Sequence, residues 1–532
     1  MQGRPTTLST EGMVATPHYL ASMAGVQMLR SGGNALDAAI AANSVLNVVY
    51  PHNCSLGGDA FMMIWDPSEK KLHALNGCGR SAAAASIEAL NALGHTVMPE
   101  RGAHPVTVPG AVHAWHTAHA RFGAKPFSDL FQDAIRYAND GFPVSPSLSR
   151  AIDMYREMLG RQKAAAHQYL PDGVVPAGGE ILRCPDLAAS FRMIAERGPA
   201  AVYGGPIGQA IANTLQAEGA FLTAADIAAH ESEWVEPLST TYRGHRLFEM
   251  PPPTQGIVGL ELANMAEGYD IAALGRNTAE QIHLLVEAKK LAFVDRDTHV
   301  ADPMFYDVPV QRFISKEYAA EQRARIDPTR AFTDQPDPAG GGDTIYLCVV
   351  DRDGMCVSLI QSIFNGFGSG LVAEGTGILL QNRGASFHLD AKAANRLEPG
   401  KRPMHTLIPA MLFHDDEPEV VLGTMGAHGQ AQTHIQLLCN LVDFELEPQA
   451  AIESPRWVSG RSVPTDPAHV LYLEEPIGEE VRQKLVTFGH DARFMPPFSS
   501  LMGHSNMIRI DRSRGVLMGA SDPRSDGAAL GW

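Results

Sequence analysis

The sequence predicts a layered α/β (α+β) fold, and three observations carry that reading. The run LDAAIAANSVLNVVY, from Leu36 to Tyr50, is almost free of charge beyond Asp37. A helix of this composition has no polar face to turn to water and must be covered on most sides. Two apolar runs follow it, CSLGGDAFMMIWD and KLHALNGCGR, each with a Gly-containing turn, and they read as strands beside that helix. Farther on, TIYLCVV and MCVSLIQS flank DRDG, a β-hairpin whose Asp353-Gly354 tolerate positive φ.

In chain order, a helix from about Tyr19 to Arg30 is closed by Gly32 and Gly33, and the apolar helix starts at Asn34, its N-cap, with Asp37 in the first turn. From about Pro109 to Ala229 the pattern is mostly helical with Pro- and Gly-containing breaks, and it carries no catalytic motif. NTAEQIHLLVEAKKLAFVDRD gives a helix over about Ala279–Asp295, capped by Asn277 or Thr278. Then the composition changes. DPTRAFTDQPDPAGGG, Asp327–Gly342, is rich in Pro, ends in Gly340, Gly341 and Gly342 and has almost no bulky apolar residue, so an exposed, mobile connector is expected directly before the hairpin.

Composition removes several function classes. With 42 Lys+Arg against 59 Asp+Glu the net charge is −17, which repels nucleic acid and anionic membrane and leaves a small molecule as the expected partner. At 45% hydrophobic and 19% charged residues among 532, the chain suits a large globular core. The cysteines form no CxxC pair, and no secretory leader or membrane-length apolar run is visible. The expectation is a soluble cytoplasmic protein, or a periplasmic one whose leader has been removed. NGFGSG precedes no long helix and lacks a Lys, and His428 and His434 stand in no HExxH arrangement. Neither a cofactor nor a metal is expected.

The junction between connector and hairpin carries chemistry. Glycines ahead of Asp343 let the backbone kink, and Thr344, at the head of a core strand, can attack the Asp343 carbonyl with its own hydroxyl. Hydrolysis of the resulting ester would free the Thr344 amine, whose ordinary pKa of about 7.7–8 suits it to act as base for the same hydroxyl. With Asp353-Gly354 as the central turn residues Thr344 faces Ile363, and with the loop Asp351–Gly354 it faces Gln361. Either register sets Ser362 within one position of Thr344's partner, where a second hydroxyl could bond the nucleophile.

A Thr after glycines is most often structural, and the surroundings decide otherwise. The chain contains GMVATPHYLASMAGVQMLRSGGNALDAAIAANSVLNVVYPHNCSLGGDAFM, HPVTVPGAVHAW, GGGDTIYLCVVDRDGMCVSLIQSIFNGFGSG, GTMGAHGQAQTHIQ, AIESPRW and GASDPRSDGAALGW. Together these resemble the γ-glutamyltransferase (glutathione hydrolase) family nearly end to end. The resemblance implies a four-layer αββα sandwich of the N-terminal nucleophile hydrolase type, made as one proenzyme. Self-cleavage would give a large subunit, residues 1–343, and a small one, 344–532, sharing a single catalytic domain, with further oligomerisation left open. It places the catalytic Thr on Thr344, the second hydroxyl on Ser362, and the oxyanion-hole pair on Gly426-Ala427, whose backbone N–H groups survive the change to Ala. Losing such a donor costs about 10²–10³ in rate.

The implied substrate pocket departs from the family pattern. The Arg expected to hold the substrate α-carboxylate is offered by Arg80 of NGCGRS, displaced along the chain; the Asp expected in QNRGASF is replaced by Ala385 and Ser386. An Asn is expected at Phe364, and a Ser-Ser pair at His405-Thr406. An α-amino group without its carboxylate partner loses a bond worth about 1.5–3 kcal/mol. The expected activity is an autoprocessed amidase that forms an acyl-enzyme on Thr344 and favours water over an amine as acceptor. The acyl group is γ-glutamyl or related; the alternative is a non-glutamyl acyl, as in oxamate amidohydrolases or cephalosporin acylases, with His405 bonding the smaller group. A non-catalytic binding protein on the same fold is the third reading, opposed by Thr344, Ser362 and the GGGD run.

Overall fold

In the computed structural model, which describes residues 3–332, 343–460 and 469–532, the first two helices stand where the sequence puts them. α1 (Tyr19–Arg30) ends ahead of Gly32, whose φ of 90° is one that glycine takes without strain. α2 (Ala35–Val49) opens with a capping box: the Asn34 side chain accepts from the Asp37 N–H, and the Asp37 carboxylate accepts from the Asn34 N–H. Every residue of α2 is buried. Helices take up 40% of the chain and strands 22%, a mixed class.

Strands β1 (Thr7–Ser9), β2 (Met13–Thr16), β3 (Asp59–Asp66), β4 (Lys71–Gly77), β5 (Glu233–Val235), β6 (Leu238–Tyr242), β7 (His245–Glu249), β8 (Asp343–Val350), β9 (Cys356–Phe364), β10 (Ala410–His414), β11 (Glu417–Thr424), β12 (Ser505–Asp511), β13 (Val516–Ser521) and β14 (Ala528–Gly531) build two seven-stranded sheets among the described residues. One sheet runs β14-β2-β8-β9-β3-β4-β5 and the other β1-β13-β12-β11-β10-β7-β6. The neighbours in both are antiparallel, so the layering is of the α+β kind.

Side-chain alternation along the strands sorts the core. On β8, Ile345, Leu347 and Val349 pack with α1, α2 and α3 (Ala111–Phe122), whereas Tyr346, Cys348 and Val350 turn to the second sheet. Phe61 and Met63 of β3 and Ile360 of β9 meet Met411, Val421 and Ile508 there. The far face of the second sheet, through Leu412, Leu422 and Met507, packs against α4 (Gly256–Glu267), α5 (Ala279–His299) and α6 (Gly429–Val442). The period of two thus gives each strand one helix-facing and one sheet-facing side.

Three boundaries differ from the sequence reading. α5 runs on to His299, and its cap is Thr278, whose hydroxyl accepts from the Gln281 N–H. The region 109–229 is helical as expected but includes the short strand pair Phe142–Pro143 and Ile181–Leu182. The connector is exposed over Asp327–Arg330, as expected, but is anchored at Ala331 and Phe332. Ala331 is buried and donates its N–H to the Phe488 carbonyl, and the Phe332 N–H donates to Glu287 Oε2. Residues 333–342, with Gly340, Gly341 and Gly342, lie outside the described residues. No helix among the described residues is long and apolar enough to cross a membrane.

Candidate active site

The β8–β9 register pairs Thr344 directly with Ser362, between the two registers counted from the sequence. The Asp351 carboxylate explains the offset: its Oδ1 accepts from the N–H groups of Asp353 and Met355, which closes a loop over Asp351–Met355. A bulge between Asp343 and Thr344 then brings Asp343 opposite Phe364.

Thr344 Oγ1 donates to Ser362 Oγ at 3.1 Å, and both residues are no more than 1% exposed. Ser362 Oγ also accepts from the Phe364 N–H at 2.8 Å, which holds it in place. The Thr344 carbonyl accepts from Asn53 Nδ2 at 3.1 Å. Gly58 lies behind Ser362, and a Cβ there would sit 2.3 Å from the Ser362 carbonyl oxygen, so only glycine fits.

Phe364 occupies the left-handed region, φ 78°, and its ring lies under the Arg383 guanidinium, with Cζ 4.0 Å from the ring centroid. Arg383 is fully buried and its guanidinium gives one hydrogen bond among the described residues, Nη1 to Thr406 Oγ1 at 3.2 Å; burial brings its pKa down to about 10, so it is charged at neutral pH. The Thr406 carbonyl accepts from Gln255 Nε2, which also donates to the Ala427 carbonyl at 2.8 Å, and Gln255 Oε1 accepts from Arg296 Nη1. A chain of contacts therefore runs from Thr344 through Ser362, Phe364, Arg383, Thr406 and Gln255 to Ala427.

Gly426 and Ala427 follow β11 with φ values of 133° and 43°. Their carbonyls accept from the Gly429 and Gln430 N–H groups at the start of α6. His428 stands half-buried beside them, and desolvation together with the charges of Arg296, Arg383 and Lys289 pushes its pKa well below 6.5.

His405 is fully buried; its pKa is pushed down to about 3 by burial and then by Arg383, against the opposing pull of Asp59. The neutral ring fits its contacts, Nε2 3.2 Å from Asp59 Oδ2 and Nδ1 accepting from the Leu407 N–H. Asp59 Oδ1 accepts from the Gly79 and Gly110 N–H groups and from Gln381 Nε2. Asp59, Cys78 and His405 bring metal-ligating atoms within 4.8 Å of one another, a grouping that spacing along the chain does not suggest. Burial raises the Cys78 thiol, which keeps its proton and faces the Gly79 carbonyl, so these groups are satisfied by the protein itself.

Of the residues singled out from the sequence, Thr344, Ser362, Phe364, Thr406 and Ala427 meet along this chain of contacts, and His405 adjoins it. Arg80 is engaged elsewhere: its guanidinium donates to Asp302 at 3.3 Å, Glu233 at 3.2 Å and the Gly400 carbonyl at 3.0 Å. The Ser386 hydroxyl donates to the Arg383 and Met404 carbonyls. Sequence reasoning passed over Arg383 itself, although QNRGASF had been singled out for the carboxylate it lacks. Asn53, Asp59 and Gln255 were also missed, since each acquires its neighbours from distant parts of the chain, and so was Arg296, which pairs with the adjacent Asp297 through Nε and reaches Gln255 through Nη1.

The gamma-glutamyltranspeptidase family model matches residues 21–532. The chain is 39% identical over 527 residues to the glutathione hydrolase-like YwrD proenzyme of Bacillus subtilis, covering 99% of each. It is 37% identical to the oxamate amidohydrolase proenzyme of Klebsiella pneumoniae, again covering 99% of both chains. The crystal structure of cephalosporin acylase from Bacillus halodurans superimposes with a TM-score of 0.93 at 38% identity, covering 100% of this chain and 98% of that one.

Proposed function

The chain belongs to the gamma-glutamyltranspeptidase family, and from that premise we propose that it is a self-cleaving amidase whose nucleophile is Thr344. The observation that carries this is the buried Thr344 hydroxyl bonded to Ser362 at the head of β8. In the precursor, Thr344 Oγ1 attacks the Asp343 carbonyl, the peptide nitrogen leaves as the Thr344 amine, and water hydrolyses the ester, giving fragments 1–343 and 344–532. In the mature enzyme the amine takes the hydroxyl proton as Oγ1 attacks the substrate carbonyl and passes it to the departing nitrogen. The N–H groups of Gly426 and Ala427 are assigned to the oxyanion. Water then attacks the Thr344 ester and releases the acid, with hydrolysis favoured over transfer to an amine. The three cores, helix against sheet, sheet against sheet and sheet against helix, support the four-layer αββα assignment.

A non-glutamyl acyl group is favoured by one feature: Ala385 and Ser386 provide no carboxylate for an α-ammonium group. Amides like those named for the oxamate amidohydrolase and cephalosporin acylase relatives are accordingly the substrates to test first, beside γ-glutamyl anilides and glutathione. Replacing Thr344 by Ala is expected to leave one full-length band on a denaturing gel and to abolish amide hydrolysis. Retained turnover in T344A would place the nucleophile elsewhere.

A further inference from the structure

Among the described residues, Arg383 is a cation with no anion bonded to it. It is fully buried, yet Nε and Nη2 have no hydrogen-bond partner among the described residues. The carboxylate whose field it feels, Asp59, is committed to His405, Gln381 and the Gly79 and Gly110 N–H groups. Burying a guanidinium in this state is strongly unfavourable unless a partner arrives. The two unused donors lie on adjacent corners of a planar fork, a geometry that matches a carboxylate in bidentate fashion.

The position of the fork restricts where that carboxylate sits in the substrate. Arg383 stacks on Phe364, the Phe364 N–H holds Ser362 Oγ, and Ser362 Oγ accepts the hydrogen bond of the Thr344 hydroxyl. The guanidinium thus lies two residues beyond the attacking oxygen along this line of contacts. The surroundings disfavour a cation there, since Arg296 and Lys289 face His428 together with Arg383. Arg296 is buried and has its own unpartnered Nη2.

We propose that Arg383 is a specificity-determining residue that binds a carboxylate on the acyl group, so that the preferred substrate is a half-amide of a short dicarboxylic acid without an α-ammonium group. This rests on the amidase reading and names the substrate class of the same site. Its test compares ammonia release from malonamate and succinamate with release from the neutral diamides malonamide and succinamide. The wild-type kcat/KM for the half-amides is expected to exceed that for the diamides by about 10²–10³, because a buried donor pair left unfilled penalises the neutral analogue. In R383Q the ratio is expected to collapse to within about tenfold. A wild-type preference for the diamides or for a γ-glutamyl anilide, or an undiminished ratio in R383Q, would overturn the proposal.

Calorimetry on the wild-type enzyme gives a second reading that needs no turnover and no folded variant. Succinate is expected to bind and succinamide not to, and equal or absent binding of the two also overturns the assignment. If wild-type protein neither cleaves itself nor releases ammonia, the amidase reading falls, while the calorimetric comparison still decides the role of Arg383.

Discussion

Ser362 supplies what the Thr344 hydroxyl needs before it can attack, an acceptor at 3.1 Å that is itself fixed by the Phe364 N–H. Replacing Ser362 by Ala removes that acceptor, and the loss of one hydrogen bond of about 1–1.5 kcal/mol is expected to lower amide turnover about tenfold. S362T, which keeps the hydroxyl, is expected to recover most of the rate; equal rates in S362A and wild type, measured by ammonia release, would remove Ser362 from the site. Thr344 and Ser362 are legible in the sequence because a hairpin ties residues close in the chain. Arg80 and Arg383 show the opposite case. The two look alike as isolated arginines, but Arg80 pairs with Asp302 and Glu233 whereas Arg383 pairs with no acid among the described residues, and both outcomes depend on elements far apart in the chain.

The hairpin loop is the element that joins the two halves of the site. Asp351 Oδ1 closes the loop, while Oδ2 accepts from the Ala35 N–H at 2.8 Å, at the first turn of the buried helix α2. A carboxylate there satisfies an otherwise orphaned helix donor and lies at the positive end of the helix dipole. Asp351→Ala is expected to cost about 2–4 kcal/mol, read from the midpoint of urea unfolding. An unchanged midpoint would show that the loop closes without it. The sequence reading found both strands of this hairpin but missed the register by one, since a side chain closing the loop is invisible to residue counting. It named no strand among β1, β2, β5, β6, β7, β10, β11, β12, β13 and β14; β1, β2, β5 and β14 pair with partners far away in the chain, whereas β6–β7, β10–β11 and β12–β13 are hairpins with short turns that the reading passed over.

At the scale of the molecule, strands from residues 1–343 and 344–532 alternate within both sheets. β8 and β9 are flanked by β2 and β3, and β10 to β13 are flanked by β1 and β7. Neither fragment completes a sheet alone, so cleavage would leave interlocked chains. The buried histidines set an acid limit on this assembly. Burial pushes His52, His230, His405 and His490 down to about 3, and His18 and His504 to about 4, from an ordinary 6.5. Each folded-state pKa is depressed, so the stability is present in full above pH 6.5. As pH falls below that value the unfolded chain takes up protons the folded one refuses, and each ring costs up to about 1.4 kcal/mol per pH unit until its folded pKa is reached. Tm is expected to hold steady above about pH 7 and to fall steeply between about pH 6 and 4; a flat profile by calorimetry would show these rings to be accessible to protons. The sequence by itself determined the buried helix with its Asn34 cap, the hairpin, and the approach of Thr344 to Ser362, because local periodicity and short loops specify them. Only the tertiary structure decided the order of the strands, the engagement of Arg80 and the isolation of Arg383. A charge's partner is set by which distant segments meet, and local pattern carries no record of that meeting.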